Sequence, residues 1–181
     1  EDATPLTANL TLNSVGSTTG VLVDATGPTV TSVSSTTADG YYNTGDVITI
    51  TINFSEAATV TNTPTLALNS GGTASYASGS GSTILTFSYT VASGHNSTDL
   101  DYTTTSALSL SGGTIKDGSG NDATLTLPAV GGPSSLGGQK NIVIDNVAPT
   151  VSISSAASDP TNAAIPVTIT FSESVSGFVV E

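Results

Sequence analysis

The feature that most constrains this chain is a motif that occurs twice. Val21-Leu22-Val23-Asp24-Ala25-Thr26-Gly27-Pro28-Thr29-Val30 has a near-copy in Val143-Ile144-Asp145-Asn146-Val147-Ala148-Pro149-Thr150-Val151. In each, an apolar run stops at an aspartate, two residues follow, and then come a small residue, proline, threonine and valine. Proline lacks the N–H that an interior strand needs, so this pattern marks one strand ending and another starting. A second landmark, Phe54-Ser55-Glu56 and Phe171-Ser172-Glu173, follows each joint by about thirty residues. Two landmarks in the same order define an internal repeat of about 120 residues.

The repeat divides the chain. Residues 1–27 read as the tail of a preceding unit, because Asp2-Ala3-Thr4 matches Asp122-Ala123-Thr124 and each leads through alternating Leu and Thr to a joint. Residues 28–147 form a complete unit. Residues 148–181 open a third, in which Asp159-Pro160 replaces the longer stretch from Asp39 to Asp46.

Periodicity within the complete unit is that of strands. Ile48, Ile50, Ile52 and Phe54 share one face of Val47–Phe54, and Leu85, Phe87, Tyr89 and Val91 share one face of Thr83–Val91. Shorter strands are expected at Thr29–Ser34, Thr65–Leu68, Thr73–Ala77, around Leu108 and Leu110, at Leu125 and Leu127, and at Asn141–Asp145. Turn-forming stretches separate them, among them Asp39–Asp46, Lys116–Asp122 and the long Pro128–Gly138 connection. No helix is expected. About eight short strands at this spacing predict an all-β fold, a β-sandwich with one core.

Composition narrows the partners. Fourteen acids face only Lys116 and Lys140, a net charge of −12, so the clustered cations that phosphates require are missing. Nucleic acid and anionic membrane surfaces are excluded on that ground. No apolar run reaches the roughly 20 residues of a membrane span, so no insertion is expected. Cysteine is absent, so packing, neighbours or ions must supply what a disulfide would. His95, the single histidine, lies in the polar loop Ser93-Gly94-His95-Asn96 and has no triad pattern around it. One histidine and no cysteine are too few for zinc. A glycosidase pair of carboxylates lacks an aromatic platform, and Gly118-Ser119-Gly120 is not followed by the Lys-Ser/Thr of a phosphate loop. An enzyme is not expected.

Together, the Asp-x-x-(Gly/Ala)-Pro-Thr-Val joint, the Phe-Ser-Glu at the end of the second long strand, and Lys116-Asp117-Gly118-Ser119-Gly120-Asn121 resemble the tandem bacterial immunoglobulin-like repeats of giant surface adhesins and biofilm proteins. The resemblance implies an immunoglobulin-like sandwich flanked by partial repeats, an extracellular location on the bacterial cell surface, and a stalk or matrix role. Several members of that family bind calcium at their joints.

The residues offer the donors for such an ion. The loop after the second strand and the loop before the closing strands are expected at the end where the unit begins. Glu56, Asp117, Asn121 and Asp122 would there approach Asp24, making the hard-oxygen cluster that Ca²⁺ takes. At the second joint, Asp145 would be met by Asp39, Asp46, Asp99 and Asp101 from the far end of the unit and by Glu173 from the next. The competing reading is that these are turn and capping aspartates on solvated loops. Tyr41 and Tyr42 are read as a loop pair that contacts a ligand or braces the next unit, with bracing favoured.

The function expected is a non-catalytic spacer whose partners are neighbouring repeats of the same or an adjacent chain. The alternatives are a homopolymeric filament or matrix subunit assembling head to tail by strand donation, and a carbohydrate-binding adhesive domain.

Overall fold

The computed structural model describes residues 23–156 and 164–177. The strands expected in residues 1–22 and the turn at Asp159-Pro160 lie outside the described residues. Among the described residues there are eleven strands: β1 (Val30–Ser35), β2 (Gly40–Tyr42), β3 (Val47–Thr61), β4 (Thr65–Ala67), β5 (Thr73–Ser78), β6 (Ser82–Thr90), β7 (Leu108–Ser109), β8 (Thr114–Lys116), β9 (Ile142–Ile144), β10 (Val151–Ser154) and β11 (Thr168–Phe171). One short helix, α1 (Leu136–Gln139), is capped by the Ser135 side chain, which accepts from the Gly138 N–H. The chain is all-β.

The main sheet is antiparallel, with order β1-β3-β6-β5-β4-β7, and β8 pairs with the far end of β3. It curls because β3, 15 residues long, changes partners along its length. Its first half pairs with β6 in continuous register from Val47 to Asn53 and with β1 from Ile50 to Phe54 across one irregularity at Val30/Ser32, with Ile50 opposite Phe87 and Ser35. The register with β6 then breaks between Asn53 and Ala58, and Thr59–Thr61 pair with β8 instead. A break of this kind bends a strand and increases its twist. Ile48, Ile50, Ile52 and Phe54 are all buried, packed with Leu85, Phe87, Tyr89, Leu66, Leu100 and Tyr102 in one core.

Four sequence expectations need correction. The tripeptide Phe54-Ser55-Glu56 does not end its strand; it sits at the register break, and the strand continues to Thr61. Gly40–Tyr42, expected in a turn, is a strand parallel to β9, with Tyr41 opposite Val143. Local periodicity cannot reveal a three-residue strand whose partner lies at the other end of the unit. Tyr41 and Tyr42 therefore face opposite ways: Tyr42 is half-buried and donates its hydroxyl to the Ala38 carbonyl, whereas Tyr41 is exposed. Leu125 and Leu127 belong to no strand. Leu127 is nonetheless buried, held by a bond from its N–H to the Thr105 carbonyl (2.8 Å). Finally, the strand marked by Leu108 and Leu110 and expected to run to the Lys116–Asp122 loop is two strands: β7 ends at Ser109, a turn through Ser111 and Gly112 at positive φ intervenes, and β8 starts at Thr114.

The first strand pair of the unit recurs after the second joint. Val30 stands opposite Phe54, and Val151 opposite Phe171. In the first pair, the Thr29 N–H donates to Ser55 Oγ (3.0 Å) and the Ser55 N–H to the Thr29 carbonyl (2.9 Å). In the second, the Thr150 N–H donates to Ser172 Oγ (2.9 Å) and the Ser172 N–H to the Thr150 carbonyl (2.9 Å). The repeated Pro-Thr and Phe-Ser are thus the two halves of one clamp.

The Pro128–Gly138 connection is folded down by buried groups. Tyr102 donates its hydroxyl to the Pro128 carbonyl at 2.6 Å, and burial first, then the Asp101 charge, pushes that phenol up to about 12. Replacing Tyr102 with Phe removes the donor but keeps the ring. It should cost about 1–3 kcal/mol by leaving the carbonyl unpaired, measured by chemical denaturation with an unchanged m-value.

Candidate metal centre at the first joint

Asp24, Glu56 and Asp117 converge, each offering a carboxylate oxygen within 4.8 Å of the other two. They come from three segments: the joint, the register break of β3, and the turn after β8. Asp24 Oδ1 accepts from both the N–H and the hydroxyl of Thr26, at 3.1 Å each, which closes a tight turn at the joint. Asp117 is 6% exposed and anchored by its own loop. Its Oδ1 accepts from the N–H groups of Ser119 (2.9 Å) and Asn121 (2.7 Å).

The joint is seated directly against this loop. Asn121 donates its side-chain N–H₂ to Asp117 Oδ2 (2.7 Å) and to the Asp24 carbonyl (3.2 Å). It therefore turns its amide nitrogen towards the cluster, where the sequence reading expected its oxygen as a ligand. Gly27 packs so closely that a Cβ there would lie 2.0 Å from the Asp122 carbonyl oxygen. The Pro28 carbonyl accepts from the Thr124 N–H at 2.8 Å.

The electrostatics of the three acids differ. Burial raises the Glu56 pKa above the usual carboxylate range, and the charges of Asp24 and Asp117 raise it further. Burial also works against Asp117, but hydrogen bonds from the Asn121 side chain and the loop N–H groups outweigh it and leave that pKa lowered. Neither lysine relieves the cluster. Lys116 pairs with Asp122 at 2.7 Å and Lys140 with Asp39 at 3.1 Å. Asp122 thus belongs to the loop but directs its carboxylate to Lys116, outside the triad.

The second set of expected ligands is not brought together. Among the described residues, no other three acids approach in this way. Asp39 lies beside Asn141, whose N–H it accepts at 3.2 Å, so its pKa is lowered by that bond and by Lys140. Asp145 lies four residues further along the same extended segment, about 13 Å away at a strand's rise per residue. The parallel β2–β9 pairing, invisible in the sequence, is what separates them. Asp101 is 4% exposed and structural: its carboxylate accepts from the N–H groups of Tyr102 (2.9 Å) and Gly131 (3.0 Å). Asp99 is nearby, its pKa raised by burial and then by Asp101. Asp46 closes its own turn by accepting the Asn43 N–H at 2.9 Å. Glu173, exposed, follows the Ser172 clamp.

What organises the second joint is Asn146, which the sequence reading passed over. Its Oδ1 accepts from both the N–H and the hydroxyl of Thr44 at 2.7 Å, and its Nδ2 donates to the His95 carbonyl at 2.6 Å. The first joint has Ala25 at that position, so comparing the two copies marks Asn146 as different without saying why. His95 is itself fixed. Its Nδ1 accepts the Ala92 N–H (3.1 Å) and meets the Tyr89 hydroxyl (2.9 Å), which in turn accepts from Ser70.

No protein-family model, curated protein or solved structure matches this chain. No helix among the described residues is long and apolar enough to cross a membrane.

Two substitutions separate the two roles of the acids. Asp101→Ala should lower stability by about 1–3 kcal/mol through the orphaned Gly131 and Tyr102 N–H groups, equally with calcium and with EGTA. Gly27→Ala should instead displace the joint from the Asp122 carbonyl, and weaken any cation binding although no carboxylate is removed. Calcium titration calorimetry of both variants reads the difference.

Proposed function

We propose that the chain is a non-catalytic structural module of an extracellular bacterial surface or matrix protein, an immunoglobulin-like sandwich repeat whose first joint is stiffened by Ca²⁺. The observation that carries this reading is the convergence of Asp24, Glu56 and Asp117 from three separate segments with both lysines engaged elsewhere. Three carboxylates supply up to six hard oxygens, within the coordination number Ca²⁺ takes. An ion held there would tie the joint to the β3 bend and to the Asp117 loop at once, which restricts hinge motion between successive units. The repeated Thr-Ser clamp supports a tandem arrangement, because it is a device for starting a unit. The resemblance to adhesin repeats agrees with both.

Thermal melting tests the reading. At about 10 mM calcium, roughly a hundred times the dissociation constant of a tight extracellular module, binding would add about 2.7 kcal/mol and raise the midpoint by several degrees. An identical midpoint in EGTA sinks the proposal. Glu56→Gln should abolish the calcium-dependent rise and yet raise the calcium-free midpoint, since it removes a carboxylate that the fold holds against its charge.

The pH dependence follows from the same shift. A carboxylate whose folded pKa is raised costs stability while ionised, so in EGTA the cost is present at neutral pH and is relieved as pH falls through the raised Glu56 value. With calcium the sign reverses, because protons compete for the ligand. The calcium increment should therefore shrink over that window.

A second reading, a subunit that polymerises head to tail, is favoured by one observation. Val151, Ile153 and Ile169 of the β10–β11 pair are exposed, an apolar surface that strand complementation from an adjacent copy would cover. Sedimentation over a range of concentrations distinguishes the readings: a mass that stays monomeric favours the spacer.

A further inference from the structure

We propose that the cleft on the outer face of the β2–β9 pair is a binding site for a neutral saccharide, with Tyr41 as its stacking platform. The cleft has a volume of about 520 Å³, within the usual range for small-molecule sites. Tyr41 and Val143 stand opposite each other in the parallel register, so both side chains lie on one face, and Asp145 follows two residues on. Val147 and Thr98 complete the walls.

Tyr41 is 80% exposed, the most solvent-accessible aromatic ring among the described large hydrophobic residues. Its neighbours in β2 are already bonded to the β9 side: the Gly40 N–H to the Asn141 carbonyl, and the Tyr42 carbonyl to the Asp145 N–H. Tyr41 is thus presented by a fixed backbone without being packed.

The polar groups around it are of two kinds. Asn96 is occupied, its Oδ1 accepting the Asn146 N–H at 2.9 Å. Asp145 uses Oδ1 to accept the Val147 N–H at 3.0 Å, which leaves Oδ2 without a protein partner among the described residues. The Thr98 hydroxyl likewise has none among them. The lining is therefore an aromatic and aliphatic floor with a carboxylate oxygen and a hydroxyl at its rim.

That combination suits a pyranose ring. One face of the ring is C–H and packs on an aromatic plane, while its hydroxyls donate to a carboxylate oxygen and exchange bonds with a threonine hydroxyl. A wholly apolar ligand would desolvate Asp145 without compensation. An anionic one would meet Asp145 in a chain of net charge −12.

The assignment is independent of calcium at Asp24, because the cleft lies at the other joint. The test is run in EGTA for that reason. Saturation-transfer NMR is recorded with a panel of neutral gluco-, manno- and galacto-configured oligosaccharides at about 10 mM, enough to reveal millimolar binding. The expected result is transfer to the C–H protons of at least one sugar. Tyr41→Ala should lower that affinity about tenfold or more, with an unchanged melting midpoint. Tyr41→Phe should keep it within about twofold, because stacking uses the ring. Absence of transfer from every sugar overturns the proposal, and so does transfer that survives Tyr41→Ala.

Discussion

Everything else in this structure depends on one strand that changes partners. In its first half, β3 carries the four side chains at the centre of the core and pairs on both edges. Fully paired backbone there leaves no buried N–H or carbonyl to be satisfied by water. At Ser55 and Glu56 the ladder with β6 lapses, and a strand that lapses must find other partners for its polar groups. It finds two: the Thr29–Ser55 clamp behind the first joint and β8 beyond it. Both bring loops to the same place. The bend that a curled sheet needs is thus also the point at which the preceding joint and the Asp117 turn meet.

That placement explains why the acids there conflict. Side chains facing a register break are partly sheltered from water, so their charges are screened less than at an open loop tip. Asp117 tolerates shelter because its own turn supplies donors, the Ser119 and Asn121 N–H groups. Asp24 has Thr26. Glu56, on a longer side chain from an extended backbone, has no such local donor, and burial first, then the charges of Asp24 and Asp117, raise its pKa.

How much of this the sequence disclosed depended on the reach of each signal. The alternation in Val47–Phe54 and Thr83–Val91 spans enough residues for period to outweigh chance, and those strands stand where they were expected. The duplicated landmarks single out Asp24 and Glu56 because two copies reveal positions held in common, whereas Asp117 has no second copy and stands out only by its turn, Lys116–Asp122. Distant pairings were another matter. Nothing local distinguishes Gly40-Tyr41-Tyr42 in a turn from the same residues in a parallel strand, and with that error went the placement of Asp39 and the meaning of Tyr41. Asp101 is hard to place for a related reason: counting acids near a loop cannot tell an exposed carboxylate from one buried to hold a backbone.

The two joints also differ in what they are made of, although their sequences nearly coincide. The first has Ala25 after its aspartate and is secured from the following unit, by Asn121 reaching back to the Asp24 carbonyl. The second has Asn146 in that position and is secured to the preceding unit, by Thr44 and the His95 carbonyl. The first arrangement gathers carboxylates and so depends on ionic conditions. The second is secured to Thr44 and His95 by neutral amide, hydroxyl and carbonyl groups, whose hydrogen bonds depend little on salt, with the Asp145 carboxylate accepting only the Val147 N–H. On the proposed function, a chain holding one joint by charge and the next by amides would have a graded stiffness, with ions tightening the first while the second stays set. The same division leaves Asp145 only partly engaged beside the exposed Tyr41.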